Sequence, residues 1–66
     1  MIAFEVKDMT CGHCVSTVTQ AVKRADREAQ VQVELDRHLV RIEPSRADAQ
    51  ALSDAIREAG YTPVPV

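Results

Sequence analysis

Hydrophobic residues recur along the chain with two different periods, and the changes of period predict its secondary structure. In residues 2–6 every second residue is apolar, which indicates a strand with one buried face. From about Cys14 to Ala25 the apolar residues recur every three or four positions instead, which predicts a helix. Alternation returns at residues 31–35 and 40–42, on either side of the polar residues 36–38. This arrangement predicts a hairpin with a tight turn.

The last third of the chain predicts a second helix followed by a short edge strand. An apolar stripe at helical spacing is formed by Leu52, Ala55, Ile56 and Ala59. Ser45 followed by Asp48 resembles a capping box, so we expect the helix to begin there. Gly60 stands where a left-handed residue commonly ends a helix. The prolines within residues 61–66 restrict that extended segment to the edge of a sheet.

The predicted order of elements is therefore βαββαβ. In this order two amphipathic helices cover one face of a four-stranded antiparallel sheet, which is the ferredoxin-like α+β sandwich. A chain of 66 residues has room for a single thin core, so we predict one domain spanning residues 1–66. It leaves no space for the large cleft that most enzymes use, and we do not expect an enzyme.

Charge and composition exclude several kinds of partner. The net charge of −2 is unlike that of a nucleic-acid-binding surface, and Phe4 and Tyr61 are the only aromatic residues available for base stacking. No segment approaches the roughly 20 apolar residues that cross a bilayer, and the first residues lack the features of a signal peptide. We therefore expect a cytoplasmic protein that does not insert directly into membranes.

The candidate chemistry is concentrated in residues 8–14, between the first strand and the first helix. Cys11 and Cys14 are three positions apart, a C-x-x-C spacing that lets both sulfurs face one small volume. Free N–H groups and the dipole at a helix N-terminus favour thiolate, the form that binds metals. Two thiolates without further ligands suit a soft ion, above all Cu(I), whereas structural zinc takes four ligands. Gly12 is expected to give this loop backbone freedom.

The predicted topology brings other residues near the cysteines. The hairpin turn and the end of the second helix come to the same end of the domain as the loop, so Tyr61 is a candidate neighbour of the sulfurs. Met9 continues the inward phase of the first strand and is expected to pack in the core, with a contact of its sulfur to Cu(I) as the alternative. His13 is expected to face solvent, with a role as ligand or as a tuning group left open. His38 is interpreted as a turn residue, with a metal role as its alternative.

The stretch Met9-Thr10-Cys11-Gly12-His13-Cys14, within a βαββαβ pattern, closely resembles the heavy-metal-associated domain family. The resemblance covers nearly the whole chain and is strongest to small bacterial copper chaperones. It implies that Cys11 and Cys14 bind the metal, that Met9 packs beneath the loop and that Tyr61 sits near the thiolates. It further implies transfer of Cu(I), by exchange of thiolate ligands, to the metal-binding domain of a copper-transporting P-type ATPase.

Two positions beside the cysteines bear on the choice of metal. Asp8 departs from the family pattern, which usually has Gly there, and this affects the flexibility and charge of the loop. Family members that handle Zn(II) or Cd(II) often have an acidic residue directly before the first cysteine. This chain has Thr10 at that position, which favours copper.

Other interpretations of the same residues stay open. The chain could be an N-terminal metal-binding domain of a heavy-metal P-type ATPase, although Met1 and an end just past the last strand favour a stand-alone protein. It could carry another soft ion, such as Hg(II), Cd(II) or Zn(II), or form a metal-bridged homodimer. C-x-x-C at a helix start is also typical of thiol–disulfide oxidoreductases. Three cations lie at the end of the first helix or just after it, namely Lys23, Arg24 and Arg27. They form either a solvated face or a docking patch for an acidic partner.

Overall fold

The computed structural model describes residues 1–66, and its elements follow the predicted βαββαβ order. The strands form one antiparallel sheet in the order β2-β3-β1-β4. The ferredoxin-like sandwich predicted from the sequence is confirmed. No helix combines the length and the apolar character that a bilayer crossing requires. The elements are β1 (Ile2–Val6), α1 (Gly12–Ala25), β2 (Gln30–Glu34), a 3-10 turn (Leu35–Arg37), β3 (Leu39–Glu43), α2 (Ala49–Glu58) and β4 (Pro63–Pro65).

The core lies between one face of the sheet and the two helices. Phe4 of β1 pairs with Val40 of β3, and Ile2 pairs with Ile42, so these side chains share one face because alternate strand residues point the same way. The helices add their apolar stripes to that face. The buried cluster consists of Phe4, Val6, Met9, Val18, Val22, Ala29, Val40, Ile42, Leu52 and Ile56.

The first helix begins at Gly12, two residues before the predicted start at Cys14. The Cys11 carbonyl accepts the Val15 N–H at 3.1 Å, so helical bonding already starts from the residue before Gly12. Gly12 and His13 are exposed and add nothing to the apolar stripe, which is why the pattern could not locate them. Gly12 is therefore the first residue of a helix and not a flexible loop position.

Two further details differ from the predictions. The second helix is capped by Asp48 alone, whose side chain accepts the Ala51 N–H at 2.8 Å, and Ser45 lies outside the helix. The expected capping box is wrong because the Ser45 N–H donates to Asp26 instead. The hairpin turn is a 3-10 turn over Leu35–Arg37, closed by a left-handed residue. The hairpin itself and the edge position of β4 agree with the predictions.

The second helix ends in a Schellman motif that needs glycine. Gly60 has φ +99°, its N–H donates to the Arg57 carbonyl at 3.0 Å, and the Tyr61 N–H donates to the Ile56 carbonyl at 3.2 Å. This motif turns the chain out of α2, so that Tyr61 begins the path to β4. The position of Tyr61 therefore depends on a backbone conformation that side chains disfavour.

The two glycines are expected to respond oppositely to alanine. Gly60→Ala should lower the free energy of unfolding by about 1–2 kcal/mol, since Cβ is strained at positive φ. Gly12→Ala should leave it unchanged or raise it by about 0.5–1 kcal/mol, because the site is helical and an added Cβ meets nothing within 4 Å. Urea unfolding of the two variants measures both, and equal destabilisation would contradict the assignment of Gly12 to the helix.

Candidate metal centre

The two cysteines meet at the N-terminus of α1. Cys11 is the N-cap residue, has an extended backbone and is exposed, while Cys14 lies in the first turn, half-buried against the core. Their Sγ atoms are 3.2 Å apart and both thiols are free. No side chain caps the first N–H groups of the helix at Cys11. Both sulfurs thus lie at the positive end of the helix dipole, where anionic sulfur is favoured.

Surrounding donors lower the pKa of Cys14 to about 6. The largest cause is the Tyr61 hydroxyl, followed by the Thr10 backbone amide and the Cys11 thiol, while partial burial acts in the opposite direction. The same contact raises the pKa of Tyr61 to about 12, because Cys14 holds its hydroxyl proton in place. At neutral pH Cys14 is therefore mainly a thiolate, while Tyr61 keeps its proton.

Tyr61 lies close enough to both cysteines and to Asp8 for their charges to raise the pKa of its hydroxyl. Its ring packs against the core, and the next residue is tied to the loop because the Thr62 N–H donates to Asp8 Oδ1 at 3.2 Å. Asp8, the residue that departs from the family pattern, therefore links the loop to the start of β4. The charge of Asp8 also contributes to the raised pKa of Tyr61.

Met9 lies beneath the loop. Its side chain is fully buried in the core, and its N–H donates to the Val6 carbonyl at 3.1 Å. Its carbonyl oxygen is 2.9 Å from Nδ1 of His38. The sequence placed Met9 correctly on the inward face but gave no sign of the contact with His38, which is 29 residues away. The one available signal was the position of His38 at the end of a tight turn, because glycine or asparagine is more common there than histidine.

The two histidines do not join the cysteines. His13 is exposed on the first turn of α1, and the hydrogen bond of that residue is made by its carbonyl oxygen, which accepts the Thr17 hydroxyl at 3.0 Å. The ring of His38 is hydrogen-bonded to the Met9 carbonyl oxygen instead. No group of three or more His, Cys, Asp or Glu side chains converges where one ion could sit. The donor set that the structure brings together is the pair of sulfurs of Cys11 and Cys14.

Comparison with known proteins places the chain in a family. Residues 3–62 match the heavy-metal-associated domain. The COP-associated protein of Helicobacter felis is 39% identical over 61 residues, covering 91% of this chain and 92% of that one. The copper chaperone CopZ of Enterococcus hirae is 33% identical over 60 residues, covering 88% and 87%. A crystal structure of a gold binding protein superposes with a TM-score of 0.93 at 32% identity over 100% of both chains.

The chain belongs to the heavy-metal-associated domain family. The matched region includes β1 from residue 3 onward, the cysteine loop (residues 7–11), both helices and the Gly60 turn, so it contains the elements that position the two sulfurs. The resemblance inferred from residues 9–14 is confirmed. The chain is thus similar in sequence to a copper chaperone and in structure to a gold binding protein.

Removing the Tyr61 hydroxyl should weaken the stabilisation of the Cys14 thiolate. In Tyr61→Phe we expect the pKa of Cys14 to rise above about 6, because the largest of the causes that lower it is lost. The pH dependence of thiolate absorbance near 240 nm, or of alkylation rate, measures this value. The ring is retained, so the core packing of residue 61 serves as an internal control. An unchanged titration midpoint would show that the hydroxyl does not act on the sulfur.

Proposed function

We propose that this protein is a cytosolic carrier of Cu(I) that takes the ion on Cys11 and Cys14 and passes it to another protein by ligand exchange. The observation that carries the proposal is the pair of sulfurs, 3.2 Å apart at an exposed helix N-terminus. Thiolates are soft ligands and Cu(I) is a soft ion that accepts two of them, so donor set and ion match. The 66 residues act in this proposal as one metal-carrying domain.

The arrangement suits release as well as binding. Cys11 lies at the exposed rim while Cys14 is half-buried beside Tyr61, so an incoming thiolate can approach the ion from the Cys11 side. The partner sulfur can bind before Cys11 leaves, and the ion is then never without ligands. Because the pKa of Cys14 is about 6, loading at neutral pH requires little proton release from that sulfur.

The receiving protein is proposed to be the metal-binding domain of a copper-transporting P-type ATPase. This follows from the family resemblance, in which donor and acceptor share the same two-cysteine site. The cations near the end of α1 are free of ion pairs within the chain, but they lie at the end of the helix remote from the sulfurs, so an acidic partner that contacts them would have to extend along α1 to reach the metal. These cations are Lys23, Arg24 and Arg27.

A second candidate is a carrier of another soft ion with the same site and fold. The similarity to a gold binding protein favours it, because that protein matches this chain over its full length. Zn(II) is less well suited, since its structural sites use four ligands and two sulfurs converge here.

An anaerobic titration of the reduced protein against a chromophoric Cu(I) chelator tests the proposal, with Zn(II) titrated in parallel. We expect one Cu(I) per chain to be held tightly and Zn(II) to be held much more weakly. Tight Zn(II) with weak Cu(I) would keep the fold and reject copper as the cargo. If neither ion bound, a disulfide-reduction assay would test the redox alternative next.

Transfer and self-association need separate measurements. The loaded protein, mixed with an isolated ATPase metal-binding domain and separated from it by ion exchange, should lose its Cu(I) to that domain. Retention of all the metal would reject the proposed partner. Sedimentation of the apo and Cu(I)-loaded forms tests the metal-bridged dimer, which would appear as a doubling of mass on loading.

A further inference from the structure

His38 has a backbone conformation that side chains usually avoid. With φ 55° and ψ 35° it is the one non-glycine residue at positive φ in residues 1–66. Cβ crowds the following carbonyl oxygen in this conformation, which is why glycine is the usual residue there. A side chain that occupies such a position at a steric cost points to a role that glycine could not fill.

One residue, His38, contacts both ends of the segment that leads into the cysteine loop. Its Nδ1 lies 2.9 Å from the Met9 carbonyl oxygen. Because a carbonyl can only accept, Nδ1 carries the proton and donates. The carbonyl oxygen of His38 in turn accepts the Val6 N–H at 2.7 Å. The segment from Val6 to Met9 is thus tied to the hairpin turn at its first and its last residue.

This double contact acts on the cysteine site through Met9. The Met9 side chain is anchored in the core and its N–H is bonded to Val6, so the His38 bond fixes the remaining polar group of that residue. Thr10 and Cys11 follow Met9 directly along the chain, and Cys11 is the N-cap residue of α1. A shift of the Met9 carbonyl would therefore displace the Cys11 side chain relative to Cys14, which is fixed in the helix.

We propose that His38 is a positioning residue, which holds the cysteine loop in its metal-binding arrangement through the hydrogen bond to the Met9 carbonyl. The inference rests on the proposed function. It assigns His38 a role other than that of a ligand, since the ring nitrogen nearest the loop is already bonded to the backbone. The loop is held in this way from the β3 side, while the bond from Thr62 to Asp8 holds it from the β4 side.

Two variants test the hydrogen bond from the His38 ring to the Met9 carbonyl separately from the left-handed backbone of His38. His38→Gly removes the donor and relieves the positive-φ strain. His38→Asn keeps a donor near the position of Nδ1, and asparagine tolerates the left-handed region better than most residues. Both variants should therefore melt within a few degrees of the wild-type protein, so that a difference between them reports on the loop and not on overall stability.

The first readout is hydrogen exchange of the Met9 amide in the apo protein. We expect exchange about tenfold faster in His38→Gly than in the wild type and close to wild type in His38→Asn, with the amides of the β1–β3 ladder unchanged in both. The second readout is competition with a Cu(I) chelator, in which His38→Gly should bind roughly tenfold more weakly and His38→Asn should recover most of the loss.

Wild-type exchange at Met9 in His38→Gly would overturn the inference, as would a loss in His38→Asn equal to that in His38→Gly. If the wild-type protein did not bind Cu(I), the proposed function would fail on its own. The exchange rates, measured without metal, would still decide whether His38 holds the loop.

Discussion

Serine at either cysteine position is expected to weaken Cu(I) binding by at least about a thousandfold, which corresponds to about 4 kcal/mol. A hydroxyl is a hard, protonated group at neutral pH and does not replace a thiolate on a soft ion. Cys11→Ser and Cys14→Ser each leave one sulfur where the structure brings two together at 3.2 Å. Competition of each purified variant against a Cu(I) chelator measures the loss.

The fold should survive both substitutions, because the effect is local to the site. Cys11 is exposed and Cys14 only half-buried, so their melting temperatures should stay within a few degrees of wild type. Thr10→Ala is the matched control, since it alters an exposed side chain in the same loop and keeps both sulfurs. It should retain Cu(I) affinity within about threefold. Wild-type affinity in both serine variants would refute the assignment of the ligands.

The sulfur that remains in Cys11→Ser should stay ionised at neutral pH. This variant keeps Cys14 beside Tyr61, the main cause of its low pKa, so the sulfur should still be largely thiolate at pH 7. Its alkylation rate should therefore reach a plateau near neutral pH, and a rate that still rises steeply above pH 8 would show that Tyr61 does not hold the thiolate.

The elements that bury one face were predictable from the sequence. Alternation in β1 and the apolar stripes of both helices follow directly from burial, and Gly60 marked the end of α2 through a requirement for positive φ. The cysteine pair was also predictable, because its C-x-x-C spacing can be read directly from neighbouring residues in the sequence. The approach of Tyr61 to the loop followed from topology alone, since βαββαβ order places both at one end of the domain.

Contacts between polar groups far apart in sequence could not be predicted. The start of α1 at Gly12 was missed for a separate, local reason, because a backbone hydrogen bond and not an apolar residue sets it. The bond from His38 to Met9 spans 29 positions, and the turn composition does not reveal its partner. Asp26 gave no signal at all, because an aspartate after a helix is usually solvated. Such contacts depend on the assembled fold.

Asp26 is the buried charge whose loss should destabilise the fold most. It is 4% exposed, and its Oδ2 accepts the N–H groups of Ser45, Arg46 and Ala47 at 2.7, 2.8 and 3.0 Å. Asp26→Ala would leave these three donors without their acceptor in a partly buried loop. We expect the melting temperature to fall by roughly 10 °C. Asp36→Ala, which removes an exposed carboxylate, is the control and should change it little.

The same contacts predict how the fold responds to acid. The amides of Ala47 and Arg46, the two largest causes, hold the pKa of Asp26 below its usual value. Because the folded-state pKa lies below the unfolded one, the stabilisation is fully present above about pH 4 and is lost as pH falls through the folded value. Asp26→Asn keeps the shape without the charge and should flatten this part of the pH profile. Urea unfolding between pH 2 and 6 measures the slope, and an equal slope in Asp26→Asn and wild type would assign the acid sensitivity to other carboxylates.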